Sequence, residues 1–266
     1  MREMSSPELL AAPPCSAFPE YPASWYFLCE SRDLRDKPYA RAMLGRNLVA
    51  FRTEGGEVSV LDGHCAHQGA DLGCGRIRGS TIQCPFHHWR YESDGACMEI
   101  PGAREIPSWA RLRRYPAIER HGSIFVFNGS RPLFPLPFLL GEDQDAYVAS
   151  APFRYVADCS WYTNAAHAFD TRHFLAVHDR ELMGPVEIDC PTPFARRNTY
   201  LAKVIGGTLF DRILRILAGG TARTSLTIWG GTFAVVTADF PRARSAFLIS
   251  MLPLCSDPAE VTPIHG

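Results

Sequence analysis

Residues 61–75, Leu-Asp-Gly-His-Cys-Ala-His-Gln-Gly-Ala-Asp-Leu-Gly-Cys-Gly, and residues 84–91, Cys-Pro-Phe-His-His-Trp-Arg-Tyr, decide how this chain is read. Each segment offers one thiol and one imidazole at short spacing: Cys65 with His67, and Cys84 with His87. Two chemistries use that donor set. A structural zinc site takes two Cys and two His, but zinc modules favour segregated pairs, the Cys from one loop and the His from another. Here each loop brings one of each. Each can therefore place one ligand on each metal of a two-iron, two-sulfide cluster that has thiolates on one iron and imidazoles on the other. The mixed pairing favours the cluster and leaves zinc as the weaker reading. Gly63, Gly69, Gly73, Gly75 and Gly79 crowd the first segment. They are expected to let backbone amides approach the bridging sulfides, which would help set the potential.

The residues around these segments read as short strands. Residues 41–52 and 58–61, joined across Glu54-Gly55-Gly56-Glu57, have the pattern of a β-hairpin. Residues 81–84, 89–91, 112–119 and 123–127 read as further strands, with Asp94-Gly95 and His121-Gly122 as turns. Residues 1–23, rich in Pro, Ala and Ser, read as a loose leader. The Pro-rich stretch from Arg131 to Gly141 reads as a boundary, which divides the chain into a leader (1–23), a small all-β domain (24–131) and a second domain (132–266). In that second part, residues 164–177 read as a helix. Residues 208–217 read as a shorter amphipathic helix capped by Thr208 and stopped by Gly219-Gly220. Residues 224–229, 232–238 and 245–252 read as an antiparallel meander turned at Gly230-Gly231. The fold class expected is α+β.

Bulk composition narrows the function classes. A 266-residue chain that is 46% hydrophobic can bury a substantial core, and a net charge of -1 gives no basic excess to favour nucleic acid. No apolar run approaches the length of a membrane span, and the first residues lack the apolar core of a signal peptide. Beyond Cys65 and Cys84, seven scattered cysteines (Cys15, Cys29, Cys74, Cys97, Cys159, Cys190 and Cys255) argue against a secreted disulfide framework. A reducing cytoplasm is the expected compartment.

A second cluster of metal-binding type, Asp170-x-x-His173-x4-His178, falls in the predicted helix 164–177 and at its end. Two His with an acid just upstream are a stronger signal than a lone His, although core or surface roles remain open for each. At roughly 100° per residue a spacing of five leaves the two imidazoles about 140° apart on an ideal helix. A wide π-type turn is therefore expected between them.

With both clusters in view, the chain resembles the α subunits of Rieske non-haem iron oxygenases, over residues 25–252 and most closely in its first half. Respiratory Rieske proteins are similar too, but bracket their cluster with a disulfide at positions occupied here by Ala70 and Phe86. The resemblance therefore points to the oxygenase or ferredoxin branch. It implies a Rieske domain followed by a catalytic domain of helix-grip-like fold. It also implies a 2Fe–2S cluster on Cys65, His67, Cys84 and His87, and a mononuclear Fe(II) on His173 and His178. Asp170 matches the acid that, in the family, joins a mononuclear-iron His to a Rieske His of the neighbouring subunit in a head-to-tail homotrimer. His64 and His88 fall outside the spacing and read as surface residues or neighbours of the ligands. His167 stands where many members have Asn, and its structural reading is preferred.

The family completes its iron site with a carboxylate from a helix well beyond the catalytic sheet. The late acids of this chain, Asp239, Asp257 and Glu260, read as solvated loop residues, so the expectation is a C-terminally shortened member with no third ligand named. The function implied is a terminal oxygenase fed by a ferredoxin or flavin reductase, acting with O2 on a small apolar substrate, aromatic or polycyclic. Phe169, Phe174 and Phe210 are candidates to line its pocket, with ordinary core packing the blander role. The alternative is a Rieske-type electron-transfer or cluster-binding protein without oxygenase activity.

Overall fold

A computed structural model describes residues 18–139, 141–143, 147, 150–254 and 259–265. The predicted leader up to residue 17, together with Cys15, Cys255 and Asp257, lies outside these. The first half supplies eleven strands: β1 (Trp25–Glu30), β2 (Tyr39–Met43), β3 (Arg46–Arg52), β4 (Val58–Asp62), β5 (Arg76–Arg78), β6 (Thr81–Gln83), β7 (Arg90–Glu92), β8 (Cys97–Glu99), β9 (Arg114–Tyr115), β10 (Ala117–Arg120) and β11 (Ser123–Phe127). The second half begins with β12 (Tyr155–Ala157), α1 (Trp161–His167), α2 (Arg172–His178), β13 (Arg180–Leu182), β14 (Glu187–Thr192) and β15 (Ala195–Val204). It continues through α3 (Leu209–Leu217), β16 (Thr221–Trp229), β17 (Phe233–Asp239), β18 (Arg244–Pro253) and β19 (Ala259–His265). The class is α+β, as expected.

The first half folds into three small antiparallel sheets, ordered β1-β11-β10, β2-β3-β4-β9 and β5-β6-β7-β8. The second is built on one antiparallel sheet, β12-β19-β18-β17-β16-β15-β13, with β14 also paired to β15. Period-two alternation divides the large sheet into two working faces. Phe233 and Val235 of β17, with Trp229 and Leu248, pack against Trp25, Phe27, Phe125 and Phe127 of the first half in one shared core. Ala234, Val236 and Ala238, between them on β17, face a cavity on the other side. A one-residue slip in register would swap these roles. The halves are also tied by polar links: Phe27 N–H donates to Ser250 Oγ at 2.9 Å, and the Trp25 indole donates to the Phe134 carbonyl at 3.0 Å.

Several sequence expectations need correction. The predicted strand 41–52 is two strands, because Leu44-Gly45 turn the chain with φ of 56° and 70°. Residues 112–119 divide at Pro116, which has no N–H for a ladder, and the two pieces join different sheets. Residues 18–23 are not loose: Phe18 stacks on Tyr162 of α1 at 4.4 Å, and the carbonyls of Tyr21 and Pro22 accept hydrogen bonds from Asn128. The Pro-rich stretch 131–139 is a packed strap that buries Phe134, Leu136 and Leu139 in the shared core. The single helix over 164–177 is two helices broken at residues 168–171. Strands β12 to β15 and β19 carried no clear sequence signal. The Thr208 cap holds as expected, its hydroxyl accepting from Asp211 N–H, a contact worth about 1 kcal/mol.

Candidate metal centres

The first centre is assembled by two hairpin-like loops. Residues 63–75 connect β4 to β5 and are closed on themselves: Cys65 N–H donates to Ala70 O at 2.9 Å, and Gly69 N–H donates back to Cys65 O at 2.9 Å. Residues 84–89 connect β6 to β7, closed by Cys84 N–H donating to Trp89 O at 2.8 Å. Strands β5 and β6 are paired, so the two tips lie side by side. Cys65 and Cys84 sit inside, 3% and 2% exposed, while His87 faces solvent. The rings of His67 and His87 are 4.8 Å apart, and His67 lies flat on Trp89 at 4.6 Å. The two thiols are thus buried, while His67 is half-buried and His87 lies at the surface.

The residues fit the group. Nδ1 of His67 is buried with no hydrogen-bond partner among the described residues, a costly state for a polar atom unless a metal takes its lone pair. Burial pushes the Cys84 thiol up, while the N–H groups of Phe86 and His87 work the other way; a bound cation deprotonates such a thiol outright. A residue that spacing did not single out adds a further device. The wholly buried Tyr91 hydroxyl lies 3.0 Å from Cys65 Sγ and accepts from Ala66 N–H at 3.2 Å. With its oxygen accepting from the amide, the phenol proton is free to donate to the sulfur. Burial also pushes this phenol up, so it stays protonated.

Several of these glycines are required by packing. A Cβ at Gly73 would come within 2.4 Å of Ala40 Cβ, one at Gly75 within 2.4 Å of the Gln83 carbonyl, and one at Gly63 within 2.9 Å of the Asn47 amide. These three let the loop press against its neighbours. Gly69 instead supplies the left-handed turn, with φ of 73°. His64 and His88 are exposed, in line with the sequence reading.

The second cluster lies at the break between α1 and α2. The break has a local cause. In a continuous helix the Ala168 carbonyl would accept from Arg172 N–H. Here Arg172 N–H goes to Asp170 Oδ1 at 3.0 Å, and the Ala168 carbonyl is taken by the side-chain amide of the fully buried Asn198 on β15. A short polar side chain that bonds its own backbone competes with helix in this way. The expected π-type turn is absent. Residues 172–178 are α-helical, and His178 is the last helical residue before Asp179 turns left-handed with φ of 51°. The side chains close the angular gap, leaving the rings of His173 and His178 5.2 Å apart.

His173 is 9% exposed, and its Nδ1 hydrogen-bonds the Asp170 main-chain carbonyl. With Nδ1–H donating, Nε2 keeps its lone pair for a metal. Desolvation lowers the basicity of both His173 and His178, which favours the neutral form that can ligate a metal. The His178 end is fixed by Arg180, which donates to the His178 carbonyl at 2.7 Å and to Asp211 of α3 at 3.0 Å. Hydrogen bonds from Thr208 and Arg180 hold the Asp211 carboxyl below its usual range. The Asp170 carboxylate is exposed. Within this chain its main-chain carbonyl, not its carboxylate, orients His173.

His167, His173 and His178 open onto a cavity of about 750 Å³ whose walls include Phe174, Phe210, Leu226 and Val236. Phe169 is not among them; it packs on Ala168, Ile228 and Met251 instead. Asp239 ends β17 in an ion pair with Arg244 at 2.9 Å.

Comparisons with known proteins bear on the domain and the fold. A family model described as the Rieske [2Fe-2S] domain matches residues 24–110. This chain carries a Rieske iron–sulfur domain. Aminopyrrolnitrin oxygenase PrnD of Pseudomonas fluorescens is 44% identical over 131 residues, covering 46% of this chain and 36% of that protein. A 3-ketosteroid-9-alpha-monooxygenase oxygenase component of Rhodococcus rhodochrous is 37% identical over 206 residues, covering 70% of this chain and 50% of that protein. The chain thus spans between about a third and a half of the length of these two relatives. The crystal structure of dicamba monooxygenase bound to dicamba superposes with a TM-score of 0.69 at 19% identity, covering 91% of this chain and 76% of that one. The Rieske-domain chain is therefore related by sequence to oxygenase components of Rieske oxygenases and shares their fold through both halves. No helix among its described residues is long and apolar enough to cross a membrane.

Proposed function

We propose that the chain acts as the terminal oxygenase component of a multicomponent system. Cys65, His67, Cys84 and His87 would hold the cluster that accepts electrons from a ferredoxin or flavin reductase, and His173 and His178 the metal beside which an apolar substrate would be oxidised. The observation that carries this reading is the meeting of two closely placed imidazoles with one large apolar cavity, in a fold that also holds the Rieske loops. A ferrous ion bound there supplies open positions for O2 and substrate.

The protein's own residues do the remaining work. The Asp170 carbonyl fixes the ring of His173, and Arg180 fixes the end of the helix that carries His178. Phe174, Phe210, Leu226 and Val236 exclude water and hold an apolar guest. A volume of about 750 Å³ is in the range of small-molecule sites and has room for a fused-ring substrate. The polycyclic class is supported by relatives named for steroids, among them cholesterol 7-desaturase of Drosophila melanogaster. Asp170 and His87 are both solvent-facing. That suits a head-to-tail homotrimer in which the Asp170 carboxylate meets the cluster histidine of a neighbouring copy. The unpaired thiols suit a cytoplasmic setting.

Iron and acid-labile sulfide analysis of anaerobically purified protein tests the proposal. About three irons and two sulfides per chain are expected. Two irons with two sulfides would leave an electron-transfer protein, and zinc without sulfide would overturn both readings.

A further inference from the structure

The helix break gathers more donors than the pair at the family positions. His167 is the last residue of α1, and its ring lies 3.9 Å from that of His173. Their donor nitrogens and an Asp170 carboxylate oxygen all lie within 4.8 Å of one another. His167 also lines the same cavity as His173 and His178. Its ring is solvent-exposed and tilted 31° from that of His173, which leaves its lone pair open to an incoming ion.

The break explains why these groups meet. Had the helix run on, His167 and His173 would be six residues apart, about 120° apart around the axis at roughly 100° per residue and roughly 9 Å apart along it. The Asn198 bond to Ala168 and the Asp170 bond to Arg172 N–H turn α2 back so that His173 faces His167. The ring of His178 lies 5.2 Å from that of His173 and lines the same cavity.

We propose that His167 is a protein ligand of the mononuclear metal, giving an imidazole-rich set of His167, His173 and His178. This rests on the reading of a mononuclear site given above.

The test compares the 266-residue chain with His167→Ala, His173→Ala and Asp170→Asn variants, each with its Rieske spectrum intact as the check on folding. Affinity is read by Fe(II) and Co(II) titration, and the number of coordinated imidazoles by pulsed EPR of Cu(II)-substituted protein. His167→Ala is expected to weaken metal binding by about 100-fold and to lower the imidazole count by one, while Asp170→Asn leaves both nearly unchanged. An unchanged affinity in His167→Ala, with binding abolished in His173→Ala, would overturn the role of His167 alone. So would two imidazoles in the unmodified protein with affinity lost in Asp170→Asn. Metal binding unchanged in every variant would overturn the mononuclear site itself.

Discussion

Replacing Tyr91 with Phe isolates one hydrogen bond to the iron–sulfur cluster. The hydroxyl is fully buried, donates to Cys65 Sγ at 3.0 Å, and sits in the core with Val49, Leu72 and Trp89, so Phe keeps the packing and removes only the donor. A hydrogen bond to a charged acceptor contributes about 1.5–3 kcal/mol. Reduction adds a negative charge to the cluster and strengthens that bond, and the difference between redox states is a fraction of the whole, about 1 kcal/mol. For a one-electron couple about 1.4 kcal/mol corresponds to 59 mV, so the variant's potential should fall by about 40 mV. Spectroelectrochemical titration of the visible bands, with iron and sulfide content as the loading control, measures it. A fully loaded variant whose potential is unchanged, or rises, would show that the phenol does not donate to the sulfur.

Asp170→Asn should leave both metal centres loaded, because the main-chain carbonyl keeps its bond to His173, while turnover with externally supplied electrons falls about 10–100-fold; full activity would refute the bridging carboxylate. Asn198→Ala strips the buried Ala168 carbonyl of its donor and should cost about 1–3 kcal/mol in denaturant unfolding, along with weakened metal binding at the second centre. An unchanged midpoint would mean that the break has another cause. Gly231→Ala places a Cβ within 2.6 Å of Trp161 at a φ of 80°, so it should lower the melting temperature by several degrees and loosen α1; a wild-type melt would refute the close approach.

The two centres differ in how far they could be read from sequence. For the cluster, Cys65, His67, Cys84 and His87 lie on two short loops whose strands pair directly, so spacing along the chain nearly equals placement in space. The expected β-hairpins around it survive for the same reason, since a hairpin's register is set by its own turn, as at His121-Gly122 and Gly230-Gly231. At Leu44-Gly45 a single glycine, with no Pro, Asn or Asp beside it, is all that marks the turn.

At the second centre, spacing marked His173 and His178 but gave the wrong geometry, a π-type turn in one long helix. The actual arrangement depends on Asn198, a residue on a distant strand that takes the carbonyl the helix would have used. No local pattern contains that contact. The same holds for the cavity, whose walls are alternate residues of strands that pair only once the large sheet forms. Chemistry that depends on neighbours in the chain is thus written in its residues. Chemistry that depends on who accepts a freed backbone group, or which strand face turns inward, is decided only when distant segments pack, because only then do those partners exist.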